Sequence, residues 1–223
     1  MKTYFNTIKY LQETLLGFSI LILMALPVLT VFRPDLISNS VSLKLYAISH
    51  FFLFFVMIIR PLADIFTKTK WIRPLVILRK GTGVLSASIV VSFILAKLMV
   101  DPAAYFSSIL TLKYWSMVNY AVLAHVADIS AILLLITSNN LSKTILGDWW
   151  KKIQNLSYVY FYGSVLYVFI SYGNIDLLFA LIIVTALTFI AFLKNRKKAR
   201  ENLLTQSVDI NKPLIEPSLI KIQ

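Results

Sequence analysis

Six long apolar runs, separated by short segments that hold most of the charge, constrain this chain more than any other feature. A transmembrane helix needs roughly 20 predominantly apolar residues. The runs cover residues 15–32, 41–59, 83–100, 116–137, 156–172 and 177–193. We therefore predict an all-α, polytopic membrane helix bundle of six transmembrane helices, in which the second to the fifth form a four-helix core. The lipid bilayer is then the first partner of the chain.

The composition excludes several other classes of protein. Apolar residues make up 58% of the 223 residues and charged residues 14%, whereas a soluble domain is about half apolar and a quarter charged. The net charge of +12 would suit a nucleic-acid partner if it formed one surface, but it is divided among the short segments, so no nucleic-acid binding is expected. The chain has no cysteine, which excludes disulfides, thiolate metal sites and iron–sulfur clusters.

The distribution of Lys and Arg predicts the orientation. Sixteen of them lie before the first run, after the second, after the fourth and directly after the sixth, and four lie in or beside the alternate loops. Cytoplasmic loops carry the excess of positive charge, so both termini should be cytoplasmic. Residues 1–14 then form the N-terminus, 15–193 a six-helix transmembrane domain, and 194–223 a basic and then polar tail. A bacterial plasma membrane is the expected location, and the external loop 101–115 should form an interfacial turn.

Three ionisable residues inside the runs are the candidates for a site. His50 lies in the second run, while His125 and Asp128 share one face of the fourth. Such groups are costly in a bilayer and mark function by default, although polar side chains also hold membrane helices together. Counted from the outer ends of their runs, the two histidines reach similar depths on one diagonal of the core. They could hold one haem or line a quinone site with Asp128 orienting His125, or each could bond a neighbouring helix.

Soluble-enzyme motifs such as a phosphate-binding glycine loop or HExxH are absent from the sequence, which leaves any catalytic residue unknown. A different series of short motifs occurs in order across residues 41–175, namely Arg60-Pro61-Leu62-Ala63, Arg79-Lys80 with Gly83, Thr137-Ser138, Leu146-Gly147 and Trp150 to Tyr158. This series is similar to the ferric-reductase-like transmembrane domain family, and the resemblance implies that residues 15–193 form a ferric-reductase-like six-helix transmembrane domain. The branch that the chain resembles most is the haem-binding membrane subunit of the bacterial periplasmic methionine sulfoxide reductase.

The resemblance implies an electron-transport oxidoreductase with b-type haem and a redox partner protein. In that family histidines on the third and fifth helices hold the haem, and their positions fall here on Phe93, Gln154 and Tyr167. All three lack an imidazole, so the resemblance implies a degenerate haem site. We expect these three side chains to fill the space between the third and fifth helices that relatives give to haem.

Three functions follow as alternatives from the sequence. The first is transmembrane electron transfer with haem held in an altered way, and the second is a haem-free, non-enzymatic membrane subunit. The third is a small transporter or proton pathway that uses His125, Asp128 and Lys97. The sequence identifies no metal site.

Overall fold

The computed structural model describes residues 2–112, 114–116 and 120–210, with side chains described up to Glu201. These described residues form ten α-helices and no strand, which confirms the all-α class. The helices are α1 (Lys2–Phe32), α2 (Asn39–Ile65), α3 (Ile72–Leu75), α4 (Leu78–Val100), α5 (Pro102–Ile109), α6 (Ala121–Ile136), α7 (Asn140–Leu146), α8 (Asp148–Gln154), α9 (Leu156–Tyr172) and α10 (Ile175–Ile210).

Four segments of the described chain are long and apolar enough to cross a membrane. They are Thr3–Phe32, Asn39–Ile65, Ile72–Val100 and Ile175–Glu201. The other two predicted spans correspond to shorter helices, because α6 has 16 residues and α9 has 17. Helix α6 continues into α7 through a bend of 98°. The chain is an integral membrane protein with four full-length apolar helices and a shorter pair between them.

Helix packing confirms the predicted four-helix core. Helix α4 packs against α2 and α6, and α9 packs against α6 and α2, so these four helices close a ring. Helix α1 lies outside the ring against α4, and α10 lies against α2 and α9. Helices α2 and α6 occupy one diagonal of the core, and α4 and α9 occupy the other.

Two glycines allow the closest helix contacts. A Cβ added at Gly81 of α4 would lie 3.1 Å from Leu15 Cβ of α1, and one added at Gly163 of α9 would lie 3.1 Å from the Leu123 carbonyl oxygen of α6. Small residues let membrane helices approach until their backbones touch. The close contacts of α1 with α4 and of α6 with α9 therefore depend on positions that have no side chain.

A buried hydrogen-bond network joins three helices of the core. Ser49 of α2 donates to the Ser86 carbonyl oxygen of α4 at 3.0 Å, and its hydroxyl lies 3.0 Å from the Ser86 hydroxyl. The Tyr160 hydroxyl of α9 completes the cluster at 3.2 Å from Ser86 Oγ and 3.4 Å from Ser49 Oγ. Because each of these buried hydroxyls has a partner, the hydrogen bonds offset the cost of removing the hydroxyls from water.

Two regions expected to be irregular are helical. The external segment contains α5, whose first turn is capped by Asp101 accepting a hydrogen bond from the Ala104 amide at 2.8 Å. Helix α10 does not stop at the end of its apolar run but continues to Ile210, because no Gly or Pro interrupts the chain before Pro213. The polar tail from Glu201 is thus helical to Ile210, and residues 211–223 lie outside the described part.

Contacts between distant segments gather the basic segments at one end of the bundle. The Tyr4 hydroxyl donates to the Trp71 carbonyl oxygen at 3.0 Å, Lys194 donates to the Ile65 carbonyl oxygen, and Asn195 donates to Asp64 at 3.2 Å. The start of α1, the α2–α4 connection and the second half of α10 therefore meet. We call this the basic end.

Candidate functional site

His50 is anchored to its own helix. Its Nδ1 lies 2.8 Å from the Tyr46 carbonyl oxygen one turn earlier. A neutral ring that donates from Nδ1 to a carbonyl carries a lone pair on Nε2, and this Nε2 is buried without a hydrogen-bond partner among the described residues. His50 therefore presents a basic nitrogen to a dry environment, which is the arrangement of a ligand or acceptor that lacks its partner.

His125 lies nearer the end of its helix than the sequence suggested. Helix α6 begins at Ala121, after Tyr120 in the left-handed conformation at φ 55°, so His125 is only four residues, roughly 6 Å, into the helix. Its ring stacks on Tyr114, with centroids 3.6 Å apart and planes 12° apart, and approaches Trp115 edge-on at 6.0 Å. The stacking ties α6 to the connection that precedes it.

The structure does not bring the two histidines into contact. They lie on the α2–α6 diagonal, but within the described chain no hydrogen bond or ring contact joins His50 to His125 or joins His125 to Asp128. His50 instead bonds its own helix and His125 stacks on the connection before α6, so neither shows the predicted bond to a neighbouring helix. A shared haem or quinone site stays a prediction.

Asp128 occupies a layer of tyrosines, which we call the tyrosine layer. Its carboxyl has no hydrogen bond or ion pair among the described residues, and Lys97 of α4 is the cation whose charge acts on it. The phenols that experience its charge come from α2, α5, the following connection and α9, and are Tyr46, Tyr105, Tyr114, Tyr160 and Tyr167. Five phenols and one cation therefore lie within electrostatic range of this carboxyl.

Two of these tyrosines, Tyr105 and Tyr114, lie outside the spanning helices, and burial together with the charge of Asp128 raises the pKa of both. Burial raises the pKa of Tyr114 to about 12, and the neighbouring Tyr105 and Asp128 act in the same direction. Burial also raises the pKa of Tyr105, again with a contribution from Asp128. Both phenols hold their protons more firmly than free tyrosine does.

The three positions of the family haem ligands lie in separate places. Phe93 stacks on Tyr46 at 4.7 Å and packs with Leu26 and Ile89, so the expectation that it lies between α4 and α9 is wrong. Tyr46 of α2 and the side chains of α1 cover that face of α4. Gln154 ends α8, and Tyr167 is half-buried on α9 with its ring edge-on to Tyr172 at 6.3 Å.

A cavity of about 550 Å³ opens at the basic end, and we call it the basic cavity. Its rim is formed by cations from α2, α4, α7 and α8, namely Arg60, Arg79, Lys80, Lys143 and Lys151. Its floor is apolar or aromatic, with Leu53, Val56 and Tyr160. Sequence reasoning missed this site because it used these basic residues only to orient the chain, although their clustering in the two segments that follow the second and fourth apolar runs was the available signal.

A second cavity of about 490 Å³ lies toward the opposite end, where α1, α2, α4 and α5 meet. Phe93 and Tyr46 line it, with Lys97 and Asp101 as its charged residues. Most of its wall is apolar, so it suits an acyl chain or a ring better than an ion.

Comparison of the chain with protein-family models, with curated proteins and with solved structures finds no match.

Proposed function

We propose that the chain is a haem-free, non-enzymatic membrane subunit built on the ferric-reductase-like plan. The observation that supports this most is the separation of Phe93, Gln154 and Tyr167. A haem held between two helices needs donor atoms that face each other across a gap. Phe93 has no donor atom and faces α1 and α2.

The contact between α4 and α9 also supports the proposal. Ser86 and Tyr160 approach each other to 3.2 Å across this diagonal, and Tyr160 is 3% exposed. A macrocycle between the two helices at this depth would have to displace the hydrogen-bonded pair. Hydrogen-bonded hydroxyls therefore lie between α4 and α9 at this depth, which supports the haem-free proposal.

We further propose an orientation in which both termini lie on the cytoplasmic side of a bacterial plasma membrane. Its support is the basic end, where the start of α1 contacts the α2–α4 connection and the second half of α10 contacts the end of α2. Positive loops stay on the cytoplasmic side. Tags at residues 1 and 223 should be reached only from that side, and a tag at Ala104 only from outside; labelling of either terminus from outside contradicts the orientation.

An absorption spectrum tests the haem-free assignment. The full chain is produced in cells supplied with a haem precursor and purified in mild detergent, and we expect no Soret band. A b-type spectrum would overturn the proposal. If that spectrum disappears in both His50→Ala and His125→Ala, the electron-transfer alternative with a shared histidine site is correct.

A proton pathway is the second candidate, favoured by Asp128 in the tyrosine layer. A carboxyl without a hydrogen-bond partner, beside Lys97 and several phenols, is the kind of intramembrane group that relays protons. Vesicles with an internal pH dye would show proton entry through the wild type and loss of that entry in Asp128→Asn. Equal rates in wild-type, variant and protein-free vesicles would reject this candidate.

A further inference from the structure

We propose that the basic cavity binds an organic phosphate, with the phosphate at the cationic rim and the apolar part of the molecule on the floor. This inference does not depend on the haem-free assignment, because none of the five cations at the rim occupies a family haem position. Gln154, which does occupy one, lines the cavity but is not part of the rim.

The charge of the cavity is uncompensated. Five Lys and Arg side chains line it and no Asp or Glu does. Among the described residues the ion pairs are Arg33–Asp35 and Lys197–Glu201, both elsewhere. Like charges that face one cavity repel each other, so an anion that enters relieves that repulsion as well as gaining attraction.

Two buried polar groups of the cavity lack partners. Gln154 Nε2 and Ser157 Oγ are shielded from solvent and make no hydrogen bond within the described chain, and Ser157 is 8% exposed. Leaving a buried donor unpaired is costly. Both side chains line the cavity, where an oxygen-rich ligand would accept hydrogen bonds from them.

The size and lining of the cavity select the class of anion. A volume of about 550 Å³ falls within the range of roughly 300–1,000 Å³ for small-molecule sites and is much larger than an inorganic ion needs. Arg60 and Arg79 can bind phosphate oxygens through two N–H groups at once. Leu53, Val56 and Tyr160 of the floor suit a hydrocarbon or a ring. A phosphate ester with an apolar portion satisfies both parts, and it can come from an anionic lipid headgroup or from a soluble metabolite.

Thermal unfolding of the full chain tests the proposal with two probes. Sodium pyrophosphate is added to detergent-solubilised protein to represent soluble phosphates, and nanodiscs of phosphatidylglycerol are compared with nanodiscs of phosphatidylcholine to represent the headgroup. The variant Lys143→Gln/Lys151→Gln removes two exposed cations of the rim. The matched control Lys68→Gln/Lys70→Gln removes two exposed cations of the same end that do not line the cavity.

We expect at least one probe to raise the unfolding temperature of the wild type and of the control. The rim variant should bind that probe at least about tenfold more weakly, since each hydrogen bond to a charged group contributes at least that factor. A response to pyrophosphate identifies a soluble phosphate, and a response to phosphatidylglycerol alone identifies a headgroup. The proposal is overturned if neither probe stabilises the wild type, or if the rim and control variants lose the response equally.

Discussion

Replacing Gly163 tests how closely α6 and α9 pack. A Cβ at this position would lie 3.1 Å from the Leu123 carbonyl oxygen and 3.4 Å from Ala127 Cβ. The first of these atoms belongs to the backbone and cannot rotate away, so the two helices must separate by a few tenths of an ångström. Gly17 of α1 is the matched control, because a Cβ there meets no atom within 4 Å.

The magnitude follows from two opposing effects. Overpacking a closely packed interface costs about 1–3 kcal/mol, while Ala in place of Gly in a helix interior gains about 1 kcal/mol. Gly163→Ala should therefore lower the free energy of unfolding by about 1 kcal/mol. Gly163→Val, with two more methyl groups against the same carbonyl, should lower it by about 3 kcal/mol. Gly17→Ala should raise it by up to about 1 kcal/mol.

Unfolding by sodium dodecyl sulfate in mixed micelles, followed by tryptophan fluorescence, measures these differences. We expect the midpoints to fall in the order Gly17→Ala, wild type, Gly163→Ala, Gly163→Val. The close approach of α6 and α9 is refuted if Gly163→Val and Gly17→Val unfold at the same detergent fraction.

Three other substitutions test separate parts of the structure. Tyr160→Phe removes a hydroxyl from the core network and should lower the free energy of unfolding by about 0.6–1.7 kcal/mol, measured in the same micelle titration. The control Tyr162→Phe loses a hydrogen bond to Thr185 on an exposed face and should lower the free energy of unfolding less. Equal losses in the two variants would argue against the network. Burial raises the pKa of Tyr114 from 10.0 to about 12, so the stability it contributes is present below pH 10 and is lost as the pH rises from 10 to about 12. In an ultraviolet titration, Tyr114→Phe should lose one phenol of those that ionise above pH 10, and an unchanged curve would contradict the burial. Asp101→Ala removes the cap of α5 and should cost about 1 kcal/mol, seen as faster amide exchange over residues 103–109 alone. Unchanged exchange there would show that the cap is not needed.

The existence and order of the helices could be predicted from the sequence because hydrocarbon thickness dictates the length of an apolar run. The ends of the helices were less predictable. Helix α10 extends past its apolar run because helix ends are set by Gly, Pro and caps rather than by hydropathy. Helix α6 begins late because Tyr120 adopts a left-handed conformation that its residue type does not signal.

The sequence could not predict which neighbouring helix each side chain contacts. Phe93 was expected beside α9, but a position along a helix does not fix which neighbour covers it, and Tyr46 covers Phe93 here. The same uncertainty applied to His50 and His125, whose similar depths did not determine where their rings point. The basic cavity appears only when the ends of α2, α4, α7 and α8 are assembled.

The shortness of α6 and α9 gives the bundle an uneven thickness. Their 16 and 17 residues rise about 24–26 Å, less than the roughly 30 Å of a hydrocarbon core, whereas α1 with 31 residues exceeds it. Lipids beside the short pair must compress, at a cost of a fraction of a kcal/mol per ångström, while those beside α1 need not. Such a protein would partition toward thin regions of a membrane and would draw headgroups and water down along one flank, the flank on which the lysines of α7 and α8 lie.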